Sequence, residues 1–482
     1  MLPHYARIAE RELSERDKQK MFSYTYKVRI LGTFTDNGQT VNFTTAVRKL
    51  PTVSYIARHL NQREINSILN KTNETGVEIG HLCIGEEIAE TTQPILFEID
   101  KLRNRRTMVF AQSGFGKTNL IKVLLYEMTQ DISYGKLIFD LNGEYFLRGT
   151  HTYGLGDIKN NTIKNNVVVY TDKKLPEKYE KENRFIYGGK VTLNMHKNMS
   201  VGDILNFGAG FSDVMKSFLL YLDEEGISDF IGKVDNYVNN PSLLHRDFSD
   251  FFGEQKKDSR GNNKEDVSAR KTIAAIRKRI RRFIDEGNLH SGKSNLIDEV
   301  FDYLKQGKTI IIDLSLKDSM DASIISTILV RKLFESNKEE FTSDKSENVI
   351  NAVLFVEEAQ NVLSQEFVRS NANPFVRVAK EGRKFGLGLV AVTQRPSAIS
   401  DEIRTQAENF FTFHMGNSDD IRALVKSNIN YDGVIAKFIQ RETIPGNLYM
   451  VSSDQAFALP VRVKEFEKLV EGRIYSDSKF GK

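Results

Sequence analysis

The chain has 482 residues, of which 40% are hydrophobic and 27% charged, proportions that are typical of a globular protein and exclude a wholly disordered one. At this length about two to four domains are expected, and a small module held together by disulfides is excluded. The 68 basic and 64 acidic residues leave a net charge of +4, too small for a protein that coats nucleic acid, so any contact with DNA or RNA must be local.

The cysteine content and the N-terminal sequence exclude a secreted, disulfide-rich protein. Cys83 is the single cysteine, so the chain can form neither an intrachain disulfide nor a zinc site built from cysteines. The first residues are charged and lack the apolar core of a secretory signal. No uncharged apolar run is long enough to span a bilayer. We therefore expect a cytoplasmic protein without a membrane segment.

The first hundred residues predict two different kinds of structure. Residues 1–21 are rich in charge and poor in apolar positions, which predicts a solvated N-terminal arm or helix. Residues 22–99 contain short β-rich stretches, among them 24–31 and 40–47, that are separated by turn signals. They predict a small β-domain in which residues 55–69 form a helical interruption.

Six continuously apolar runs follow, and such runs are typical of strands in a parallel sheet that is covered on both faces. They comprise residues 107–111, 136–141, 166–170, 309–314, 351–356 and 388–393. Helical stretches separate them along the chain. We therefore expect a doubly wound α/β core that is formed by residues 100–171 and 306–465.

Two further regions are predicted around this core. Between residues 172 and 305 the strand signal fades, and helical patterning with polar loops predicts a helical insertion. Three β-like pieces near the end of the chain, 410–415, 447–452 and 457–463, are expected at the sheet edge, and residues 466–482 are expected to form a tail.

A glycine-rich loop joins the first run of the core to a helical stretch. Small residues let successive backbone N–H groups turn toward phosphate oxygens at a helix N-terminus. We expect Lys117 to reach the β- and γ-phosphates of ATP and the Thr118 hydroxyl to bind Mg²⁺. Ala111 stands where the usual motif has its first glycine, which is costly only if its φ is positive. The candidate cofactor-binding residues are Ser113, Gly114, Phe115, Gly116, Lys117, Thr118 and Asn119.

Two further strand ends carry the residue types that ATP hydrolysis requires. Glu357 is expected at the Mg²⁺ position, acting through a metal-bound water, and Glu358 is expected to polarise the attacking water. Gln394 follows another apolar run and is expected beside the γ-phosphate, where it could report hydrolysis. Lys117 and Glu357 are 240 positions apart, far more than a compact P-loop core needs, which agrees with a large insertion between them.

Four segments together resemble the HerA branch of the HerA/FtsK ATPases. They are residues 139–145 (Phe-Asp-Leu-Asn-Gly-Glu-Tyr), 356–360 (Val-Glu-Glu-Ala-Gln), 381–386 (Glu-Gly-Arg-Lys-Phe-Gly) and 393–397 (Thr-Gln-Arg-Pro-Ser). The resemblance extends over about residues 75–465. It implies a RecA-like P-loop ATPase core with an N-terminal β-barrel and a helical insertion. It also implies a homo-hexameric ring that translocates double-stranded DNA.

The resemblance also implies that arginines of a neighbouring subunit complete the site. Arg383 matches the family's motif position and is the first candidate, and Arg105, just before the P-loop strand, is the second. Such a cation would stabilise the charge on the transferring phosphoryl group. For both arginines a role as an intrasubunit surface charge stays open. Gln360, where the family often has histidine, and Ala111 depart from the family pattern.

The densest basic stretch lies within the predicted insertion. Its cations are Arg270, Lys271, Arg277, Lys278, Arg279, Arg281 and Arg282, interleaved with Ile273, Ile276, Ile280 and Ile284. The spacing places the isoleucines on one helical face. The helix could line a DNA path, but packing on the core of the insertion with a solvated rim is the favoured interpretation.

The favoured function is an ATP-hydrolysing, hexameric translocase or helicase for double-stranded DNA. By family analogy it would serve a nuclease or a sirtuin-like, NAD-degrading effector in antiphage defence. Three alternatives remain at this point. One is a nucleotide-gated scaffold that assembles an effector without processive translocation, another is a DNA-end-resection motor in repair, and the third is a protein remodeller or conjugation-type pump.

Overall fold

The computed structural model describes the chain in two compact units, Met1–Lys71 and Thr72–Lys482. The described residues are 30–38, 40–44, 58, 60–69, 76–84, 87–88, 94–147, 152–158, 160–177, 179, 185–207, 210–225, 230–239, 249–254, 256–261, 267–285, 287–343, 346–370, 373–453, 455 and 457–471. The predicted N-terminal arm, most of the predicted strand 24–31 and the end of the predicted tail lie outside them.

The first unit contains a β-hairpin and a helix. Strands β1 (Thr33–Asp36) and β2 (Val41–Thr44) pair antiparallel across a turn in which the Asn37 side chain accepts the Thr40 N–H at 2.8 Å. The helix α1 (Gln62–Leu69) packs against β2. The turn between the strands lies where the sequence predicts one.

Helix α1 matches the later part of the predicted helix 55–69, of which residues 55–57 and 59 lie outside the described residues. Asn61 Oδ1 accepts the Glu64 N–H at 3.0 Å, and the Glu64 carboxylate accepts the Asn61 N–H at 2.9 Å. This reciprocal arrangement is a capping box, which satisfies the first exposed donors of a helix. The helix therefore begins directly after Asn61.

In the second unit the described strands form one mixed sheet. They are β3 (Val77–Ile84), β4 (Glu87–Ile88), β5 (Pro94–Phe97), β6 (Arg106–Phe110), β7 (Gly135–Asp140), β8 (Val167–Tyr170), β9 (Ile186–Gly189), β10 (Thr309–Asp313), β11 (Ala352–Val356), β12 (Leu387–Thr393), β13 (Asn409–Thr412), β14 (Asn447–Val451) and β15 (Leu459–Val463). Their order across the sheet is β4-β3-β15-β14-β13-β6-β12-β11-β7-β10-β8-β9, and β5 pairs with β3.

The stretch from β13 to β9 is parallel throughout and forms the core of the sheet. The six predicted apolar runs are confirmed as β6, β7, β8, β10, β11 and β12. Their residues are almost all buried, as expected for strands covered on both faces. Because these strands are parallel, all of them begin at one edge of the sheet, the amino edge, and end at the other, the carboxyl edge.

The late strands β13, β14 and β15 extend the sheet beside β6, the strand before the glycine-rich loop, but they are not its edge strands. β13 pairs parallel with β6, β14 and β15 follow antiparallel, and β15 pairs with β3. Gly80 makes this last pairing possible, since a Cβ there would lie 2.0 Å from the Arg462 carbonyl oxygen. Strands from the predicted β-domain therefore continue the main sheet, and a closed barrel stays a prediction.

Helices cover the sheet and fill most of the segment between β9 and β10. They are α2 (Lys117–Met128), α3 (Asn161–Lys164), α4 (Met195–Asn198), α5 (Val201–Phe207), α6 (Asp213–Glu225), α7 (Phe230–Asn239), α8 (Ser249–Phe252), α9 (Val267–Ile284), α10 (Leu296–Lys305), α11 (Ser319–Thr342), α12 (Gln365–Ser370), α13 (Pro374–Glu381), α14 (Asp401–Arg404), α15 (Ser418–Ser427), α16 (Val434–Arg441) and α17 (Phe466–Val470). Among the helices described, none combines the length and apolar character needed to cross a membrane.

The described residues of the predicted helical insertion 172–305 also include a strand. Residues 186–189 form β9, which pairs with β8 at the end of the sheet. The sequence Ile-Tyr-Gly-Gly gives little strand signal, because glycine weakens a strand. Gly188 is needed here because it packs on the Tyr170 ring, where a Cβ would approach a ring carbon to 2.4 Å.

Helix α9 carries the basic stretch and packs as the favoured interpretation predicts. Ile273, Ile276 and Ile280 are fully buried in the hydrophobic core. On the other side, Arg279 donates to the Gly210 carbonyl at 3.0 Å and Arg281 pairs with Asp285 at 2.6 Å. The apolar face therefore anchors this helix, and a DNA path along its cations stays a prediction.

One buried lysine lies at the start of β7. Lys136 Nζ donates to the carbonyl oxygens of Asp131 and Gly307 and lies 4.3 Å from the centre of the Tyr134 ring. Burial lowers the pKa of Lys136 to about 7, and the Asp131 carboxylate opposes this effect only in part. Above neutral pH the Lys136 amine is therefore mostly unprotonated in the folded protein.

Replacing Lys136 with methionine is expected to change how stability depends on pH. The folded pKa lies below the ordinary value of 10.5, so above pH 7 the unfolded chain binds a proton that the folded chain does not. Stability therefore rises with pH in this range. Between about pH 7.5 and 9 the free energy of unfolding of the wild type should gain roughly 1 kcal/mol per pH unit relative to K136M.

Urea unfolding at several pH values measures this difference. The exposed Lys305 provides the matched control, and K305M should follow the slope of the wild type. Parallel pH profiles for the wild type and K136M would contradict the assignment.

Candidate nucleotide-binding site

The glycine-rich loop connects the end of β6 to the start of α2 at the carboxyl edge. Gly114 and Gly116 have φ of +84° and +106°, a region that residues with a side chain rarely occupy. Ala111 is fully buried, and it is not among the described non-glycine residues with positive φ. The alanine is therefore accommodated without strain, and the loop has the form that the sequence predicts.

The loop is anchored by the segment that follows β13. The centres of the Phe115 and His414 rings are 4.4 Å apart, and the Gln112 N–H donates to the His414 carbonyl at 3.0 Å. The Phe115 carbonyl accepts the Gly446 N–H at 3.0 Å. Both the ring and the carbonyl of Phe115 are thus engaged within the protein. Ser113 and Gly114 are exposed at the tip of the loop.

Asn119 was expected to bind the cofactor, but its side chain points elsewhere. Its Nδ2 donates to the Lys464 carbonyl at 3.0 Å, and its Oδ1 accepts the Phe466 N–H at 2.9 Å. These bonds tie α2 to the chain after β15. A contribution of Asn119 to phosphate binding is therefore limited to its backbone N–H in the first helical turn.

The Thr118 hydroxyl contacts a carboxylate that the sequence did not single out. It donates to Glu144 Oε2 at 2.8 Å. Glu144 belongs to the loop after β7, and this loop is held by Asp140, whose carboxylate accepts the N–H groups of Gly143, Glu144 and Tyr145 at 2.7–3.1 Å. Burial raises the pKa of Asp140 to about 6, against these three hydrogen bonds.

Glu357 follows β11 and faces the same loop. Its Oε1 accepts the Tyr145 hydroxyl at 2.6 Å, and its Oε2 lies 3.4 Å from Asn142 Nδ2. Burial raises the pKa of Glu357 to about 7, the hydrogen bond from Tyr145 opposes this, and the carboxylates of Asp140 and Glu144 raise it further. A cation beside Glu357 would favour its charged form.

Glu358 is held in an unusual backbone conformation. Its φ is +45°, which is uncommon for a residue other than glycine and persists only where neighbouring contacts fix it. Its Oε1 lies 3.8 Å from Lys117 Nζ and accepts from Gln394 Nε2 at 3.1 Å, while Oε2 accepts from Gln360 Nε2 at 2.7 Å. The structure thus brings Lys117, Glu358 and Gln394 together.

The two candidate arginines lie at the opposite edge of the sheet. Arg383 is exposed in the turn before β12, and Arg105 precedes β6 and donates to the Ser453 hydroxyl at 2.6 Å. A strand as long as β12 separates the two edges by roughly 20 Å. Neither arginine therefore reaches the glycine-rich loop of its own chain.

The residues around Thr118 suit Mg²⁺ bound together with a nucleotide. Among the described residues, no group of three or more His, Cys, Asp and Glu side chains forms a metal site. Thr118, Glu144 and Glu357 offer hydroxyl and carboxylate oxygens, the donors that Mg²⁺ prefers. A Mg²⁺ that also binds phosphates needs only one or two protein carboxylates, so this set fits it.

Sequence reasoning missed the roles of Asp140, Glu144 and Tyr145, although it noted the segment 139–145. A signal was present, because a carboxylate-rich loop directly after a buried parallel strand must lie at the carboxyl edge, where ligands of such sheets bind. Gln360 was noted only as a departure from the family pattern. Its contact with Glu358 requires the turn after β11, which the sequence does not define.

Family models match two parts of the chain. The model described as "Helicase HerA, central domain" matches residues 77–333, which is more than half of the chain. The model described as "Zonular occludens toxin (Zot)" matches residues 282–419, a shorter part that overlaps the first.

Several similar proteins are named as helicases. The "DNA double-strand break repair helicase HerA" of Sulfurisphaera tokodaii is 24% identical, with 82% of this chain and 71% of that protein covered. The protein of the same name from Saccharolobus solfataricus is 25% identical, with 79% and 67% covered. That from Pyrococcus furiosus is 24% identical, with 73% and 63% covered. The chain thus spans about two thirds of the length of these relatives.

Solved structures of low similarity include a bacterial conjugative coupling protein and VirB4. The bacterial conjugative coupling protein TrwB has a TM-score of 0.49 and 14% identity, with 83% of this chain and 91% of that chain covered. VirB4 of Thermoanaerobacter pseudethanolicus has a TM-score of 0.47 and 13% identity, with 81% and 97% covered. Likenesses at this level define neither substrate nor partner. The match over residues 77–333 confirms the resemblance seen in the sequence motifs, and the chain belongs to the HerA helicase family.

Proposed function

We propose that the protein is a Mg²⁺-dependent, ATP-hydrolysing translocase or helicase for double-stranded DNA. The observation that carries this proposal is the convergence of Lys117, Glu358 and Gln394 from three neighbouring strand ends. Glu358 Oε1 lies 3.8 Å from Lys117 Nζ and accepts from Gln394 Nε2 at 3.1 Å. Membership of the HerA helicase family and the names of the similar proteins support DNA as the substrate.

The glycine-rich loop and the start of α2 would bind the phosphates. Backbone N–H groups at a helix N-terminus favour anions, and the Lys117 ammonium adds a positive charge at the β- and γ-phosphates. Thr118, Glu144 and Glu357 would hold Mg²⁺, which when bound neutralises charge on the phosphate oxygens. Glu144 and Glu357 are both fixed by the loop that Asp140 organises.

Glu358 would orient and polarise the water that attacks the γ-phosphate. Its carboxylate is a hydrogen-bond acceptor 3.8 Å from Lys117 Nζ, so it lies on the phosphate side of the loop. Gln394 donates to the same carboxylate from the end of β12. A change at the γ-phosphate would therefore alter a contact of β12, which gives Gln394 the means to report hydrolysis.

A homo-hexameric ring would supply the missing arginine. Arg383 and Arg105 lie at the amino edge, and the nucleotide site lies at the carboxyl edge. In a head-to-tail ring two different surfaces of the chain meet, and in the proposed ring the amino edge of one copy would meet the carboxyl edge of the next. Arg383, which is exposed, is the first candidate for completing the neighbour's site, and Arg105 is the second.

The wider role rests on the family resemblance. The favoured role is that of a cytoplasmic motor which serves a nuclease or a sirtuin-like effector in antiphage defence. The names of the similar proteins favour a second candidate, a DNA-end-processing motor in repair. The division into an N-terminal β-barrel (22–99), an ATPase core (100–171 and 306–465) and a helical insertion (172–305) belongs to the same proposal.

Glu358→Gln is expected to abolish hydrolysis while ATP binding persists. Loss of a positioned base lowers rates by about 10²- to 10⁴-fold. In the wild type, duplex DNA should stimulate ATPase turnover and ATP should drive release of a streptavidin block from a biotinylated duplex end. E366Q, a substitution at an exposed glutamate of α12, is the matched control and should behave as the wild type.

Wild-type turnover by E358Q would refute the assigned chemistry. ATPase activity that duplex DNA does not stimulate, with no release of the block, would instead favour a nucleotide-gated scaffold.

Glu144→Gln is expected to weaken the response of nucleotide binding to Mg²⁺. The variant keeps the size of the side chain and removes the charge beside Thr118, so the Mg²⁺ concentration at half-maximal binding of a fluorescent ADP should rise by about 10-fold. Binding measured without Mg²⁺ should change little. E347Q, at an exposed glutamate far from the loop, is the control. An unchanged Mg²⁺ dependence in E144Q would remove Glu144 from the site.

Mixing two inactive variants is expected to restore ATPase activity if Arg383 acts between subunits. In a mixture of R383A and E358Q, some interfaces join an intact Glu358 of one copy to an intact Arg383 of the next. In an equal mixture about one interface in four has this composition, so activity should approach a quarter of the wild type. The same test with R105A examines the second candidate. A mixture as inactive as its components would argue against a role in trans.

A further inference from the structure

A chain of hydrogen bonds connects the end of β12 to Glu358 through Gln360. The Arg395 N–H donates to Thr393 Oγ1 at 3.0 Å, and the Thr393 hydroxyl donates to Gln360 Oε1. Gln360 Nε2 in turn donates to Glu358 Oε2 at 2.7 Å. Gln360 therefore bridges two strand ends, those of β11 and β12, at the carboxyl edge.

The direction of this chain is fixed by its first and last members. Because Thr393 Oγ1 accepts from a backbone N–H, its own proton is available for Gln360 Oε1. The amide oxygen of Gln360 thus faces Thr393, and its NH₂ group must face Glu358. The reverse orientation would place the amide oxygen against the Glu358 carboxylate, where the two acceptors would repel each other.

Two amide side chains hold the Glu358 carboxylate, and the backbone of Glu358 also depends on neighbouring contacts. Its φ of +45° is held only by its surroundings. Gln394 binds one carboxylate oxygen and Gln360 the other, so the plane of the carboxylate is defined by two donors. Removing Gln360 leaves Oε2 without its hydrogen bond, whereas Gln394 and the more distant Lys117 ammonium both act on Oε1, so the carboxylate can turn about that oxygen.

We propose that Gln360 is a positioning residue that holds the Glu358 carboxylate in line with the attacking water. This inference rests on the role of Glu358 in the proposed function. It adds Gln360 as a second hydrogen-bond donor to the Glu358 carboxylate, beside Gln394. Gln360 makes no contact with the glycine-rich loop among those described. Its loss should therefore affect turnover and leave nucleotide binding intact.

The test compares Q360L with T393V, Q365L and E358Q in steady-state ATPase and nucleotide-binding measurements. Q360L removes both hydrogen bonds of the amide and should lower kcat by about 10- to 100-fold, since small misplacements of reacting groups have effects of this size. KM and nucleotide affinity should stay within about 2-fold. Q365L is the matched control, because Gln365 accepts a hydrogen bond from Ser400 at 2.9 Å, away from Glu358.

T393V provides a second, independent variant that keeps the volume of the buried side chain. It removes the hydroxyl that orients Gln360 and should lower kcat less than Q360L does. If both residues act through one chain, the double variant Q360L/T393V should be no slower than Q360L, whereas independent effects would multiply. A midpoint of thermal unfolding close to that of the wild type shows that each variant keeps the fold.

Three results would overturn the inference. They are a wild-type kcat in Q360L, an equal loss in Q360L and Q365L, or multiplicative effects of Q360L and T393V. E358Q separates this inference from the function on which it rests. If E358Q is inactive while Q360L has wild-type turnover, only the role of Gln360 is wrong; if E358Q itself turns over normally, the proposed chemistry is wrong.

Discussion

The parallel pairing of β6, β12, β11 and β7 is the constraint on which the site depends. Parallel strands end at the same edge of a sheet, so the residues that follow these four strands must meet. The glycine-rich loop, Gln394, Glu357 with Glu358, and the loop held by Asp140 are those residues. Because the strands are buried on both faces, their ends are fixed in position, and side chains from distant parts of the sequence meet within hydrogen-bonding distance.

The candidate site contains several carboxylate side chains and few cationic ones. Asp140 and Glu357 have pKa values raised by burial to about 6 and about 7, and nearby carboxylates add to the effect. In their ionised form these carboxylates suit a metal ion better than they suit phosphate. In the proposed function the two binding roles are separated, with backbone N–H groups and Lys117 on the side of α2 and carboxylates on the side of β7 and β11.

The sequence predicts the core of the sheet well and its surroundings less well. Six strands and the glycine-rich loop could be identified because continuous apolar runs and a strand-loop-helix motif are local signals. The strand β9 was missed because Ile-Tyr-Gly-Gly is short and contains two glycines. Gly188 is required by its packing on the Tyr170 ring, a contact between residues that are distant in the sequence. The side-chain partners of Asn119 could not be foreseen for a similar reason, because Lys464 and Phe466 are near the other end of the described chain.

The anchoring of the glycine-rich loop by late residues has a consequence for biosynthesis. Gly446 binds the Phe115 carbonyl, and Lys464 and Phe466 bind Asn119, so the loop and its helix are held by residues that leave the ribosome more than three hundred positions after them. Contacts so distant in sequence form slowly and expose unpaired strands until they close. A nascent chain that already carries Lys117 and Thr118 therefore cannot complete its nucleotide site until β14 and β15 have been synthesised.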